Sequence, residues 1–177
     1  LTVIEHPQYG LFGGYLILNT VGRPLEFHCT APIKPNRAQQ ILYGPTLESF
    51  IYGEQIGQTL ISHGSAPPLL ICTDRQPALA AREHVSSPVV LVLPPETPSE
   101  PVDEEPTRFF RIDPPHHGGP RLAVFQLGRN RLALPERADE DRRLIAERLA
   151  DLAESFDLAE PFQRIRDAIE EAQQAVR

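Results

Sequence analysis

The chain of 177 residues has no methionine, no tryptophan, two cysteines and, in Lys34, a single lysine. No apolar run approaches the ~20 residues that a bilayer-spanning helix needs. The first residues also lack the basic-then-apolar order of a secretory signal, so a cytoplasmic protein without a membrane partner is expected. Cys29 and Cys72 are not in the paired spacing of a zinc site and are too few to staple a small secreted domain. Each lies in an apolar segment, which reads as two buried thiols in a reducing compartment. Arginine supplies every basic side chain other than Lys34, a bias that fits a GC-rich bacterial genome. There is no phosphate-binding glycine loop, nucleophile elbow, His-Glu-x-x-His pair or acidic calcium loop. No cofactor is therefore implied.

The chain has 41% hydrophobic and 23% charged residues, close to globular averages, so it has the apolar surface for a core. Its formal charge of -7 is not spread evenly. Glu96, Glu100, Asp103, Glu104 and Glu105 fall in one Pro-rich stretch, and elsewhere the charges nearly balance. Nucleic acid is disfavoured as a partner, because phosphate contacts need a concentrated Lys/Arg surface.

Residues 15–30 form two β-rich runs around Gly22 and Pro24, the clearest hairpin pattern in the chain. In the second run Leu25, Phe27 and Cys29 alternate with Glu26, His28 and Thr30. Period-two alternation assigns the first set to the core and the second to solvent or a partner. Asn36 is placed to cap a short helix ending at Gly44, and Thr46 to cap a longer one. Gly53 and Gly57 in the longer helix imply close packing on a strand, or contact with another chain. Leu69–Cys72 and Val89–Leu93 are continuous apolar runs, as in strands buried on both faces, and the Ala-rich stretch between them suits a crossover joining parallel neighbours. A second hairpin is expected over residues 122–134, turning at Gly128.

These patterns predict an α+β or mixed α/β fold: hairpin, helices, a short β-α-β unit, a second hairpin and C-terminal amphipathic helices around a mixed sheet. The organisation reads as an α/β core part over 1–93, an acidic Pro-rich linker over 94–107, a hairpin region over 108–134 and a helical segment over 135–177. In the last segment Ile145, Leu149, Leu152 and Phe156 make one apolar stripe, and Phe162, Ile165 and Ile169 continue it beyond Pro161. Either two helices or one kinked helix fits this spacing.

Three groups of side chains invite chemistry. Cys29 follows His28, but neighbours along a strand point to opposite faces and cannot readily share a proton. Cys72 and Asp74 stand where a parallel strand gives way to a helix, a usual ligand position in open sheets and equally an ordinary helix cap. Asp113, His116 and His117 offer metal-ligand types without metal-ligand spacing. No catalytic set converges in the sequence. The reading favoured is a non-catalytic interaction, adaptor or subunit-type protein that binds a protein partner or itself through the C-terminal stripe. The alternative is a small enzyme or metal-binding protein using Cys72, Asp74 and histidines.

Overall fold

Asn19 organises the first hairpin, its Oδ1 accepting from the backbone N–H of Val21 (3.1 Å) and Arg23 (2.9 Å). Gly22 in the same turn has φ of 78°, which side chains resist. In the computed structural model, which describes residues 1–95 and 121–174, this turn joins β2 (Gly10–Leu18) to antiparallel β3 (Pro24–Cys29). A strand that the sequence pattern did not announce, β1 (Thr2–His6), pairs with the other edge of β2. The first sheet therefore has the order β1-β2-β3.

Helix α1 (Arg37–Tyr43) begins at Asn36 with both bonds of a capping box to Gln39 and stops at Gly44, whose φ is 48°. Helix α2 (residues 47–62) lacks the expected side-chain cap, because the Thr46 hydroxyl donates to the Tyr43 carbonyl instead. Its centre, Phe50–Gln58, is π-helical. Here Gly53 and Gly57 are buried, and they face a 3-10 helix (Gln76–His84) rather than a strand or another chain. A Cβ on Gly53 would lie 2.6 Å from the Ala80 Cβ and 2.8 Å from its carbonyl carbon.

That 3-10 helix is the crossover between β4 (Ile71–Thr73) and β5 (Val89–Leu93), which run parallel as expected. The second hairpin, β6 (Leu122–Leu127) and β7 (Asn130–Pro135), adds β7 antiparallel to β5. The resulting mixed sheet has the order β4-β5-β7-β6 and unites chain segments from both sides of the acidic stretch. Near the seam of the two sheets the Leu1 nitrogen donates to the Cys72 carbonyl at 2.8 Å.

Strand β5 is buried on both faces, which explains its unbroken apolar run. Val89 and Leu91 join Ile56, Leu60 and Ile71 in a core beneath α2. Val90 and Val92 point the other way, into a core with Leu132, Leu134 and the C-terminal helices. Those helices are separate: α3 (Asp139–Ser155) and α4 (Glu160–Gln174). Asn130, buried at the start of β7, secures their junction by donating to the Phe156 carbonyl and accepting from the Leu158 N–H, both at 2.9 Å. No helix among the described residues is long and apolar enough to cross a membrane.

Candidate functional site

The first sheet is covered unevenly, and that determines which face of the molecule is available. On one face Gly13, whose added Cβ would lie 2.2 Å from Ile56, receives α2. On the other, Gly14 receives α4, with Ile165 in the same relation. The α4 side is also the side of Leu25, Phe27 and Cys29, since Gly14 pairs with Cys29 and Leu16 with Phe27 across the ladder. Helix α4 packs on β1 and β2, so the β3 row beyond it stays uncovered. Leu25 is 60% exposed, Phe27 39%, and Cys29 is exposed as well.

The expected orientation of β3 is therefore reversed. Glu26, His28 and Thr30, assigned to solvent from the alternation, are half-buried. They satisfy one another and their neighbours. His28 Nε2 meets Glu26 Oε2 at 3.0 Å, Glu26 also accepts from the Ser65 N–H at 3.2 Å, and Thr30 Oγ1 accepts from the Gly13 N–H. The His28 bond, followed by the Ser65 bonds, lowers the Glu26 carboxyl below its usual range. Tyr15 stacks on His28, and burial followed by the Glu26 charge pushes its phenol up to about 12. Alternation identified the two rows correctly but not which row the helices would cover.

Beside the exposed row lies an apolar cleft of about 350 Å³. Its floor includes Leu16, Leu18 and Leu25, and its wall includes Leu152, Phe156 and Phe162. The predicted stripe is thus accounted for within the chain. Ile145, Leu149 and Phe162 are buried in the core under the mixed sheet, with Leu152 and Phe156 half-buried against it. Ile165 and Ile169 are buried against Phe12. Leu149 and Ile165 also border the cleft.

Among the described residues the chemical candidates do not converge. Burial pushes the Cys72 thiol up to about 11, which keeps it protonated and a poor nucleophile near neutrality. Asp74 accepts from the Thr2 hydroxyl at 2.6 Å and pairs with Arg166, so both its oxygens hold the fold together. His63 Nδ1 lies against the Thr59 carbonyl, and His84 faces Glu54 at 3.7 Å. Cys29 and His28 project from opposite faces of β3, as the strand argument requires. Among the described residues no group of three or more His, Cys, Asp or Glu could hold a metal ion. Asp113, His116 and His117 lie outside the described residues.

No family model, curated protein or solved structure matches the chain. The residues that sequence reasoning missed as a surface are Leu25 and Phe27. Their signal was present in the alternation, but its polarity depends on α2 and Ser65 covering one face and on how far α4 covers the other, all distant in the chain.

Proposed function

We propose that this chain is a non-catalytic interaction protein, an adaptor or subunit, that docks another polypeptide on the face formed by β3 and the neighbouring cleft. The observation that carries the reading is the exposed row of Leu25, Phe27 and Cys29 on an edge strand. Edge strands of soluble proteins are normally blunted by lysine, mid-strand proline or a covering element. Here the only proline is Pro24, at the start of the strand, and the outward side chains are apolar. The C-terminal helices contribute as the wall of the adjoining cleft, through Leu149, Leu152, Phe156, Phe162 and Ile165, rather than as a free stripe. The reading based on Cys72 and Asp74 gains nothing from the geometry, since the thiol is held protonated and the carboxylate is fully engaged.

A photo-crosslinking amino acid placed at position 27 tests this in the cells that make the protein. The expected result is a discrete adduct with a polypeptide, lost when Leu25→Lys is added and not formed from exposed position 154 on α3. The reading fails if position 27 forms no adduct, or only the background found at 154.

A further inference from the structure

The ladder of the first sheet shows where the free hydrogen-bonding groups of β3 point. The Thr30 N–H donates to the Gly13 carbonyl at 3.0 Å. Residues 30, 28 and 26 are thereby the members of β3 and its continuation that bond to β2, facing Gly13, Tyr15 and Ile17. Phe27 and Cys29 direct their N–H and C=O groups away from β2, off the edge of the sheet, whereas Leu25 sits at a bulge, where the register shifts between Ile17 and Leu18. Among the described residues no backbone bond occupies that edge. One short segment thus presents an apolar row on one face, a polar pair on the other and an open ladder between them.

We propose that β3 pairs antiparallel with β3 of a second copy of this chain about a two-fold axis through Phe27, extending the sheet across the dimer. This rests on the interaction reading above and names its partner. The sequence Leu25-Glu26-Phe27-His28-Cys29 is self-complementary in that register. Phe27 faces Phe27 of the second copy, and Cys29 falls beside the bulged Leu25, so the apolar rows meet on one face. On the other face Glu26 of each copy opposes His28 of the other, doubling an acid–imidazole pair already formed at 3.0 Å within the chain. A carboxylate opposite an imidazole can hydrogen-bond across the ladder, whereas two carboxylates opposed there repel. A shift of the axis by one residue places Glu26 against Glu26 or His28 against His28, which selects the register centred on Phe27. A two-fold axis also closes the assembly at two copies and removes the free edge from both.

The register makes a covalent test available. Directly opposed residues of such a pair have Cα atoms about 5.5 Å apart, within disulfide reach. Phe27→Cys combined with Cys29→Ser in the full chain places one thiol opposite its own copy across the axis. Mild oxidation should convert this variant largely to a covalent dimer, while wild type, whose two Cys29 residues are offset along the strands, and Leu25→Cys combined with Cys29→Ser should give none. Light scattering of the unoxidised wild type should show the mass moving from one copy toward two as concentration rises, with Phe27→Lys remaining at one. A wild-type chain that is monomeric at all concentrations overturns the proposal, as does a Phe27→Cys, Cys29→Ser chain that fails to link or links no better than the Leu25→Cys, Cys29→Ser control. If those results came with a position-27 adduct to a different polypeptide, self-pairing would be overturned while the interaction reading stood.

Discussion

Gly53→Ala sets two effects of opposite sign against each other. Within a helix, alanine is favoured over glycine by about 1 kcal/mol. Packing opposes it: the added Cβ would stand 2.6 Å from the Ala80 Cβ, 2.8 Å from the Ala80 carbonyl carbon and 2.9 Å from the Ala81 nitrogen. Two of those three obstacles are backbone, so the α2 helix and the 3-10 helix must separate rather than one side chain rotate. Ala80 and Ala81 sit beside Ala78 and Leu79, which share a core with Ile51, Ile56 and Val89, so separation disturbs more than the contact itself. Overpacking in such a core costs about 1–3 kcal/mol. Since the obstacle is rigid, the upper part of that range applies, and after the helix gain the net loss is about 1–2 kcal/mol. Urea unfolding followed by circular dichroism should show a lower midpoint with an unchanged slope. Adding Ala80→Gly should restore only part of the loss, because it removes one obstacle of three. A Gly53→Ala chain as stable as wild type, or more stable, refutes the close approach of the two helices.

The two cysteines should differ toward a thiol reagent near neutral pH, exposed Cys29 reacting at once and half-buried Cys72, whose pKa is raised, far more slowly. Because the Cys72 pKa is raised from 9.0 to about 11, its share of stability is intact below pH 9 and is lost as pH climbs through about 11. Tyr15, raised from 10.0 to about 12, adds a second loss just above, so Cys72→Ala should flatten only the lower part of the alkaline fall in melting temperature. Asn130→Ala strands a buried N–H at Leu158 and a carbonyl at Phe156, for about 2–4 kcal/mol of destabilisation. A loss below about 0.5 kcal/mol in urea would show that the α3–α4 junction is held by other groups.

Much of the fold could be read from local signals, since those are what a sequence records directly. Asn36 starts α1 and Gly44 ends it, Gly22 lies in the first turn, and the runs at 69–72 and 89–93 mark a parallel pair, although β4 begins only at Ile71 and Leu69 is exposed. What escaped depends on distant partners. Thr2–His6 becomes a strand through its pairing with Gly10–Gly14, its β-branched run being only Thr2, Val3 and Ile4 before two polar residues. The π-helical centre of α2 lies where Gly53 and Gly57 meet residues 80 and 81. The reversal of β3 is the most consequential case. Its alternation was clear, but the exposed row was decided by where distant elements settle: α2 and Ser65 lie on the Glu26, His28 and Thr30 side, while α4 stops over Gly14 and leaves Phe27 uncovered. The C-terminal stripe shows the converse: its spacing was legible as an apolar face, and the structure shows that face to be filled largely by the protein's own sheets.

Residue-resolved amide hydrogen exchange along β3 tests most directly whether this edge is a docking surface. In the dilute, unpartnered chain the N–H groups of Glu26 and His28, bonded to β2, should exchange slowly, and those of Phe27 and Cys29 should exchange fast. With partner bound, or at high concentration if the partner is a second copy, the fast set should become as slow as its neighbours. Uniform protection along β3 in the dilute chain, or a fast set that no concentration or partner slows, would contradict the account.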